Sequence, residues 1–112
     1  MIAPLLDRLR EKDPETWDYI DTVLKLGFPM PGVCDPNGVI AGYIIQGSIQ
    51  SAIQARGWSW RMQGFPEIDD DHPGQTCCTI MRRKGIIWYD HKTAYGASPA
   101  EALLSCYLEA IR

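Results

Sequence analysis

Asp69, Asp70, Asp71 and His72 form the densest set of potential metal ligands in the chain. Carboxylate oxygens suit hard divalent ions, and the imidazole could join a zinc site with a ligand from elsewhere, such as His91. The run lacks the alternating ligands and the central glycine of a calcium loop, and the chain has no HExxH pair. The pattern therefore favours a solvated acidic loop. A metal-dependent enzyme that uses this cluster is kept as an alternative function.

Asp90-His91 is the second place where chemistry could occur, because the carboxylate could orient the imidazole as a general base. No nucleophile motif accompanies this pair. Ser98 stands before Pro99 at a predicted helix start, which is typical of a helix cap. The sequence also contains no GxGxxG or GxxxxGK[ST] loop for a nucleotide. We therefore expect neither catalysis nor a bound cofactor.

The four cysteines, Cys34, Cys77, Cys78 and Cys106, form no CxxC pair. Cys77 and Cys78 are adjacent in a predicted strand, where neighbouring side chains point to opposite faces. A nearby cation could create a reactive thiolate, but the apolar strand favours buried, inert thiols. We expect the cysteines to be reduced, and the sequence has no secretion signal and no run of about 20 apolar residues. These features predict a cytoplasmic protein with no membrane partner.

Arg82, Arg83 and Lys84 form a basic patch at the tip of a predicted hairpin. A basic hairpin between strands that precede a last helix is similar to the arrangement in double-stranded RNA-binding domains. That family has a lysine cluster at the start of its last helix, where this chain has Pro99-Ala100-Glu101. The net charge of −3 gives no global attraction for phosphates. Nucleic-acid binding through the basic patch is therefore the second alternative function.

Two helices are predicted at the N-terminus and a third in the middle of the chain. Residues 4–12 can form a short helix, and Asp13-Pro14-Glu15 is typical of the start of a second, which Gly27 would end. The third helix is predicted from Val39 to Arg56, closed by Gly57. A turn is predicted at 35–38, before the third helix.

The third helix has no charged residue from Val39 to Ala55. A solvated helix face normally carries lysine and glutamate, and its two internal glycines cost about 1 kcal/mol each relative to alanine. Close approach by another element would explain both features. We expect a protein, either a second copy or a different protein, to contact the face formed by Tyr43, Gly47, Gln50 and Gln54.

Three strands and a final helix follow. Alternating residues 58–63 predict the first strand, residues 76–82 the second, a turn at 83–85 comes next, and the third strand starts at Ile86. The apolar run Ile86-Ile87-Trp88-Tyr89 predicts a sheet covered on both faces, with the N-terminal helices on the second face. Ser98-Pro99-Ala100-Glu101 is a capping box. The predicted fold is a single α+β domain over 1–112, a sandwich-like three-stranded antiparallel sheet packed with helices in the order helices-βββ-α.

The Trp-led strand Gly57-Trp58-Ser59-Trp60 and the ending YGASPAEALLSCYLEA (95–110) carry a family resemblance. Over residues 39–112 the chain resembles small bacteriophage and prophage proteins of the phage ABA-sandwich type, whose last strand runs into an A-x-(S/T)-P-x-x-A-(I/L)-x-x-A-x-L-x-A helix. Cys106-Tyr107 departs from that pattern, where small residues are typical. The resemblance implies a phage accessory protein that acts in the host cytoplasm, and it assigns no activity to particular residues. Protein-protein binding is the leading hypothesis.

Overall fold

The computed structural model describes residues 2–26, 38–64 and 75–111. Within these ranges the chain forms four helices and three strands: α1 (Ala3–Lys12), α2 (Pro14–Leu26), α3 (Val39–Ala55), β1 (Ser59–Gly64), β2 (Thr76–Lys84), β3 (Ile87–Gly96) and α4 (Pro99–Ala110). The predicted α+β class and element order are confirmed. The predicted helix end at Gly27, the turn at 35–37 and the acidic cluster from Asp69 to His72 lie outside the described residues.

The strands form an antiparallel sheet in the order β1-β2-β3. On the helix side of the sheet, Trp60 pairs with Ile80 and Cys78 pairs with Ala94. His91 is an extra residue in β3, because Ile80 pairs with Lys92 while the next β2 residue, Met81, pairs with Asp90. This β-bulge divides β3 into a part that α4 covers and a part that extends towards the turn.

The turn between β2 and β3 is one of the points where the predicted boundaries were wrong. Both strands continue to the pair Lys84–Ile87, so the turn is Gly85-Ile86 and the basic residues belong to β2. Gly85 has a φ of +65°, and Ile86 has a negative φ. Glycine with positive φ at the first of two turn residues is what a type II′ hairpin requires.

Helix α4 is the central element of the core. It contacts β2 and β3 on one side and α3 and α1 on others, and seven of its twelve residues are buried. Ser98 caps this helix as predicted, because its Oγ accepts a hydrogen bond from Glu101 N–H at 3.2 Å. Glu101 Oε2 accepts a hydrogen bond, also at 3.2 Å, from the N–H of Ala97, the residue before the cap. The core side chains from α1, α2, α3 and the sheet meet around this helix.

The N-terminal helices pack on the other helices and leave the second sheet face open. The helices contact one another in a ring, α1 with α2, α2 with α3, α3 with α4 and α4 with α1. Asp13 begins α2 as predicted, since its carboxylate accepts hydrogen bonds from Thr16 N–H (3.3 Å) and Thr16 Oγ1 (2.6 Å). Arg61, Thr93 and Tyr95, which alternate with core-facing positions in the sheet, are exposed.

The prediction of two-sided burial at Ile86 to Tyr89 is therefore wrong. The exposed fractions are 92% for Ile86, 67% for Ile87, and 45% for both Trp88 and Tyr89. A twelve-residue helix such as α4 is about 18 Å long, whereas the ten residues of β3 span about 33 Å. Helix α4 can cover only about half of β3, and the apolar run lies in the uncovered half. In the described ranges, no helix is both long and apolar enough to cross a membrane.

Candidate functional site

The projecting end of the β2–β3 hairpin exposes four consecutive large apolar residues, Ile86 to Tyr89. We define it as the hairpin tip, Arg82 to Tyr89. Burial is complete at Ile80 and is lost within three residues, so that every residue from Arg83 to Asp90 is exposed. The tip holds large apolar side chains on both sheet faces, because Ile87 and Tyr89 alternate with Trp88. The chain thus presents four adjacent apolar residues to solvent.

The three cations of the basic patch are together in the tip, as predicted, but their side chains differ in environment. The Arg82 guanidinium lies over the Trp58 ring, 4.7 Å from its centroid. Arg83 Nε donates a hydrogen bond to Gly85 O across the turn. Lys84 is exposed. No carboxylate of the tip neutralises these cations, so the tip is positively charged. Both guanidinium groups nevertheless contact other groups of the same chain.

Trp58 connects the tip to the helices. The Arg56 guanidinium lies 5.4 Å from the Trp58 ring centroid, and the His91 ring centroid lies 6.1 Å away. Burial, reinforced by the charges of Arg82 and Lys92, lowers the pKa of His91. A neutral, ring-packed imidazole at the bulge follows from this environment.

Asp90 does not act on His91 as a catalytic pair would require. The Asp90 carboxylate forms an exposed ion pair with Arg61, with 3.4 Å between Nη2 and Oδ2. Arg61 is exposed on the open face of β1, whereas Trp58, which immediately precedes β1, packs against the core. The Asp90 and His91 side chains therefore point to different faces of the sheet. The geometry gives no support to the general-base interpretation.

The prediction of buried, inert cysteines is met by Cys78 and Cys106, whereas Cys77 is half-buried and Cys34 lies outside the described residues. Cys78 on β2 and Cys106 on α4 are fully buried, and Cys106 Sγ donates a hydrogen bond to Lys92 O at 3.2 Å. A hydrogen bond with Cys106, together with burial, raises the pKa of Cys78. Cys77, Cys78 and Cys106 are free thiols. The same hydrogen bond lowers the pKa of Cys106, so what the two thiols share is complete burial. A thiol that is inaccessible to solvent is a poor nucleophile, and this pair belongs to the core.

The uncharged face predicted on α3 is accessible. Tyr43 is 71% exposed, Gly47 and Gln54 are also exposed, and Gln50 is half-buried. A groove of about 210 Å³ lies between this face and α2, lined by Tyr19, Val23, Tyr43, Ile44, Gly47, Ser48 and Ser51. The N-terminal helices border the face without covering it. Its role in partner binding stays a prediction.

A larger cleft lies where α3 and α4 begin. Its volume is about 340 Å³, and Ile2, Gly42, Tyr43 and Pro99 are among the residues that line it. The carboxylate of Glu101, also in the lining, takes part in the cap of α4. In 2–26, 38–64 and 75–111, no group of three or more His, Cys, Asp or Glu side chains could hold a metal ion. The cluster from Asp69 to His72 is outside these ranges, so the metal hypothesis stays untested.

A polar chain that sequence analysis missed ties the N-terminal helices to the rest of the fold. The Tyr107 hydroxyl on α4 donates to Asp13 Oδ2 at 2.5 Å, and Arg56 Nε donates to the Tyr107 hydroxyl at 3.2 Å. Burial would raise the pKa of Asp13, but hydrogen bonds from Thr16 and Tyr107 outweigh it, and the pKa is lowered. Burial and the Asp13 contact raise the pKa of Tyr107. The arrangement favours an ionised Asp13 beneath a protonated tyrosine.

Removing the Tyr107 hydroxyl is expected to cost stability at neutral pH and much less in acid. Tyr107→Phe should lower the free energy of unfolding by about 1.5 kcal/mol at pH 7, because a hydrogen bond to a charged group is lost. The pKa of Asp13 is lower in the folded chain, so the stabilisation exists above the ordinary aspartate value of 3.8 and disappears as pH falls through the folded value. Urea unfolding at pH 7 and pH 2 measures the difference, because the acid measurement must lie well below the ordinary value of 3.8. Tyr19→Phe, at a tyrosine that is 61% exposed, is the matched control. A loss of equal size at both pH values would contradict this role of Asp13.

The residues that sequence analysis assigned to the core at Ile86 to Tyr89 are the strongest candidates for partner contact. One signal could have identified them. The apolar run follows three consecutive cations and a glycine. Because lysine and arginine are almost never fully buried unless they are paired, strand residues next to three cations are expected to be exposed. In the structure these three cations, Arg82, Arg83 and Lys84, are the last residues of β2, directly beside the exposed apolar run.

No protein-family model, curated protein or solved structure matches this chain. The resemblance to phage proteins therefore has no support beyond the residues that suggested it.

Proposed function

We propose that this protein acts by binding another protein through its hairpin tip. The observation that carries the proposal is the exposure of Ile86, Ile87, Trp88 and Tyr89, which are consecutive and lie outside the core. Single apolar residues on a protein surface are common, whereas a contiguous exposed apolar patch often marks an interaction site. Tryptophan and tyrosine are also enriched among the residues that dominate binding energies.

The charges of the tip define the partner. Arg82, Arg83 and Lys84 lie beside the apolar run, and the tip contains no carboxylate. Interfaces place complementary charges around an apolar centre, which steers encounter and suppresses wrong partners. The expected partner therefore has an apolar cleft with an acidic rim. If the phage resemblance holds, this partner is a host protein, and the chain is an accessory factor with no enzymatic activity of its own.

The same residues supply less to a nucleic acid than to a protein. Phosphate recognition uses the free fork of arginine, yet Arg82 stacks on Trp58 and Arg83 donates to Gly85 O. Arg61, on the open sheet face, is paired with Asp90. Ile86 and Ile87, the most exposed tip residues, are aliphatic and cannot stack on a base, whereas the aromatic Trp88 and Tyr89 are each 45% exposed. These contacts favour a protein partner.

Site-specific photo-crosslinking tests the proposal. A photoreactive residue at position 86 should yield one dominant adduct in the cells that make the protein, whereas the same residue at Glu11, an exposed position on α1, should not. The adduct is then treated with protease or nuclease. A protein adduct specific to position 86 supports the proposal. A nuclease-sensitive adduct would replace it with the nucleic-acid alternative, and equal labelling from both positions would contradict it.

A further inference from the structure

Cations from three elements lie beside Trp58 and His91, where the hairpin leaves the helices. The guanidinium groups of Arg56 and Arg82 lie 5.4 Å and 4.7 Å from the centroid of the Trp58 ring. Lys92, next to His91 in β3, is the third cation. We define Arg56, Arg82 and Lys92 as the junction cluster. Because its members come from the end of α3, from β2 and from β3, the fold brings these charges together.

The junction cluster has no ion-pair partner in the part of the chain that the structure describes. The cations that do have carboxylate partners there include Arg8, Lys25 and Arg61. Arg56 Nε donates to the Tyr107 hydroxyl, which in turn donates to Asp13, so part of the charge of Arg56 is offset. Within the same ranges, Arg82 and Lys92 contact no carboxylate.

His91 responds to this uncompensated charge. Burial lowers the pKa of His91, and the charges of Arg82 and Lys92 lower it further. Helix α4 faces the imidazole with the backbone of Ala110, and Asp90 points to the other face of the sheet, where it pairs with Arg61. An anion that arrives beside His91 would therefore meet positive charge.

Apolar tip residues lie next to the junction cluster on the same face of the sheet. Tyr89 pairs with Arg82 across the two strands, and Ile87 pairs with Lys84 one step further out. Arg82 and Lys84 alternate with Ile80, which faces the core, so these pairs lie on the helix side of the sheet. Tyr89 and Ile87 are 45% and 67% exposed. The helix side of the hairpin thus presents apolar area and unpaired positive charge together.

The open face of the hairpin lacks this combination. Arg61 is paired there with Asp90 at 3.4 Å, and Arg83 Nε donates to Gly85 O. Trp88 is the large apolar tip residue on this side, since it pairs with Arg83. A carboxylate on the open face would be repelled by Asp90, whereas on the helix side it would supply a missing counter-charge.

We propose that the junction cluster is a carboxylate-binding site, in which the partner of the hairpin tip places an acidic side chain while its apolar side chains cover Ile87 and Tyr89. The inference rests on the proposed function and specifies the face and the chemistry of the contact. A guanidinium that lies over an aromatic ring keeps its in-plane N–H groups for a carboxylate. One carboxylate needs one such edge, whereas a nucleic-acid backbone needs a row of cations.

A short peptide tests the site without the natural partner. Acetyl-Glu-Leu-Glu-Leu-Glu-amide offers carboxylates beside apolar side chains, and its glutamine counterpart offers a similar shape without charge. In an NMR titration of the full chain, the glutamate peptide should bind with a dissociation constant of about 1 mM and shift the signals of Ile87, Tyr89 and His91. The glutamine peptide should bind about fivefold more weakly. The bound carboxylates should raise the pKa of His91, because they offset the charges that lower it.

Arg82→Gln should weaken binding of the glutamate peptide about fivefold. Arg10→Gln is the matched control, since the Arg10 guanidinium also lies 4.7 Å from a ring centroid, that of Trp17, and belongs to α1. It should lose the equivalent ring contact and bind the peptide normally. Equal binding of the two peptides, or equal binding by Arg82→Gln and the unmodified chain, overturns the inference.

Photoreactive residues at positions 88 and 89 test the face in cells, because Trp88 and Tyr89 are both 45% exposed and lie on opposite faces. Position 89 should label the same protein as position 86, and the labelled segment should contain aspartate or glutamate. Stronger labelling from position 88 overturns the inference, while the adduct at position 86 still upholds the proposed function. Peptide binding as described with no adduct from the tip would contradict the proposed function and leave the carboxylate site in place.

Discussion

Replacing Gly96 with alanine is expected to lower the free energy of unfolding by about 3 kcal/mol, near the upper end for overpacking. A Cβ on Gly96 would lie 2.5 Å from Ala102 N and 2.9 Å from the carbonyl carbon of Glu101. Both are backbone atoms of α4, so no rotamer change can relieve the clash. The strand end or the start of α4 must move, and α4 holds the core together.

Chemical denaturation of Gly96→Ala measures this cost. Gly64→Ala is the matched control, because Gly64 also ends a strand and a Cβ there meets no described atom within 4 Å. The control should change the free energy of unfolding by less than about 0.5 kcal/mol. If both variants are equally stable, the close approach of β3 and α4 is not a constraint on the fold.

Serine at both Ile86 and Ile87 should abolish partner binding at working concentrations and leave the fold intact. Both side chains are mostly exposed, so the free energy of unfolding should stay within about 0.5 kcal/mol of the unmodified chain. Loss of two central apolar anchors should weaken binding by about 100-fold, which corresponds to about 1.4 kcal/mol for each side chain. If the two isoleucines instead support the fold, the free energy of unfolding and the affinity for the partner should fall together.

Local signals in the sequence were sufficient for most of the fold. Ser98 caps α4, Asp13 caps α2, and Gly57 follows α3 with a φ of +75°. Each of these features depends on hydrogen bonds or backbone angles within a few residues. The helical spacing of the apolar residues from Ala100 to Ile111 likewise indicated the buried stripe of α4.

Local sequence signals do not predict the features that depend on how helices and strands pack against one another. Consecutive apolar residues such as Ile86 to Tyr89 indicate the same environment on both sides of a strand. By itself this apolar pattern does not separate burial from exposure, and only the three cations before it point to exposure. The lengths of β3 and α4 decide between them. The Tyr107–Asp13 hydrogen bond joins residues 94 positions apart, and it exists only because α1 and α2 pack back on the α3–α4 pair.

The most direct test of the central claim is the dissociation constant of the protein captured from position 86, measured by calorimetry with purified components treated with nuclease. The Ile86→Ser/Ile87→Ser chain should bind about 100-fold more weakly than the unmodified chain. Val39→Ser, at an apolar residue that is 75% exposed on α3, should bind within about twofold of it, as surface changes outside an interface do. Equal affinities for the tip variant and the unmodified chain would contradict the claim that the hairpin tip is the binding surface.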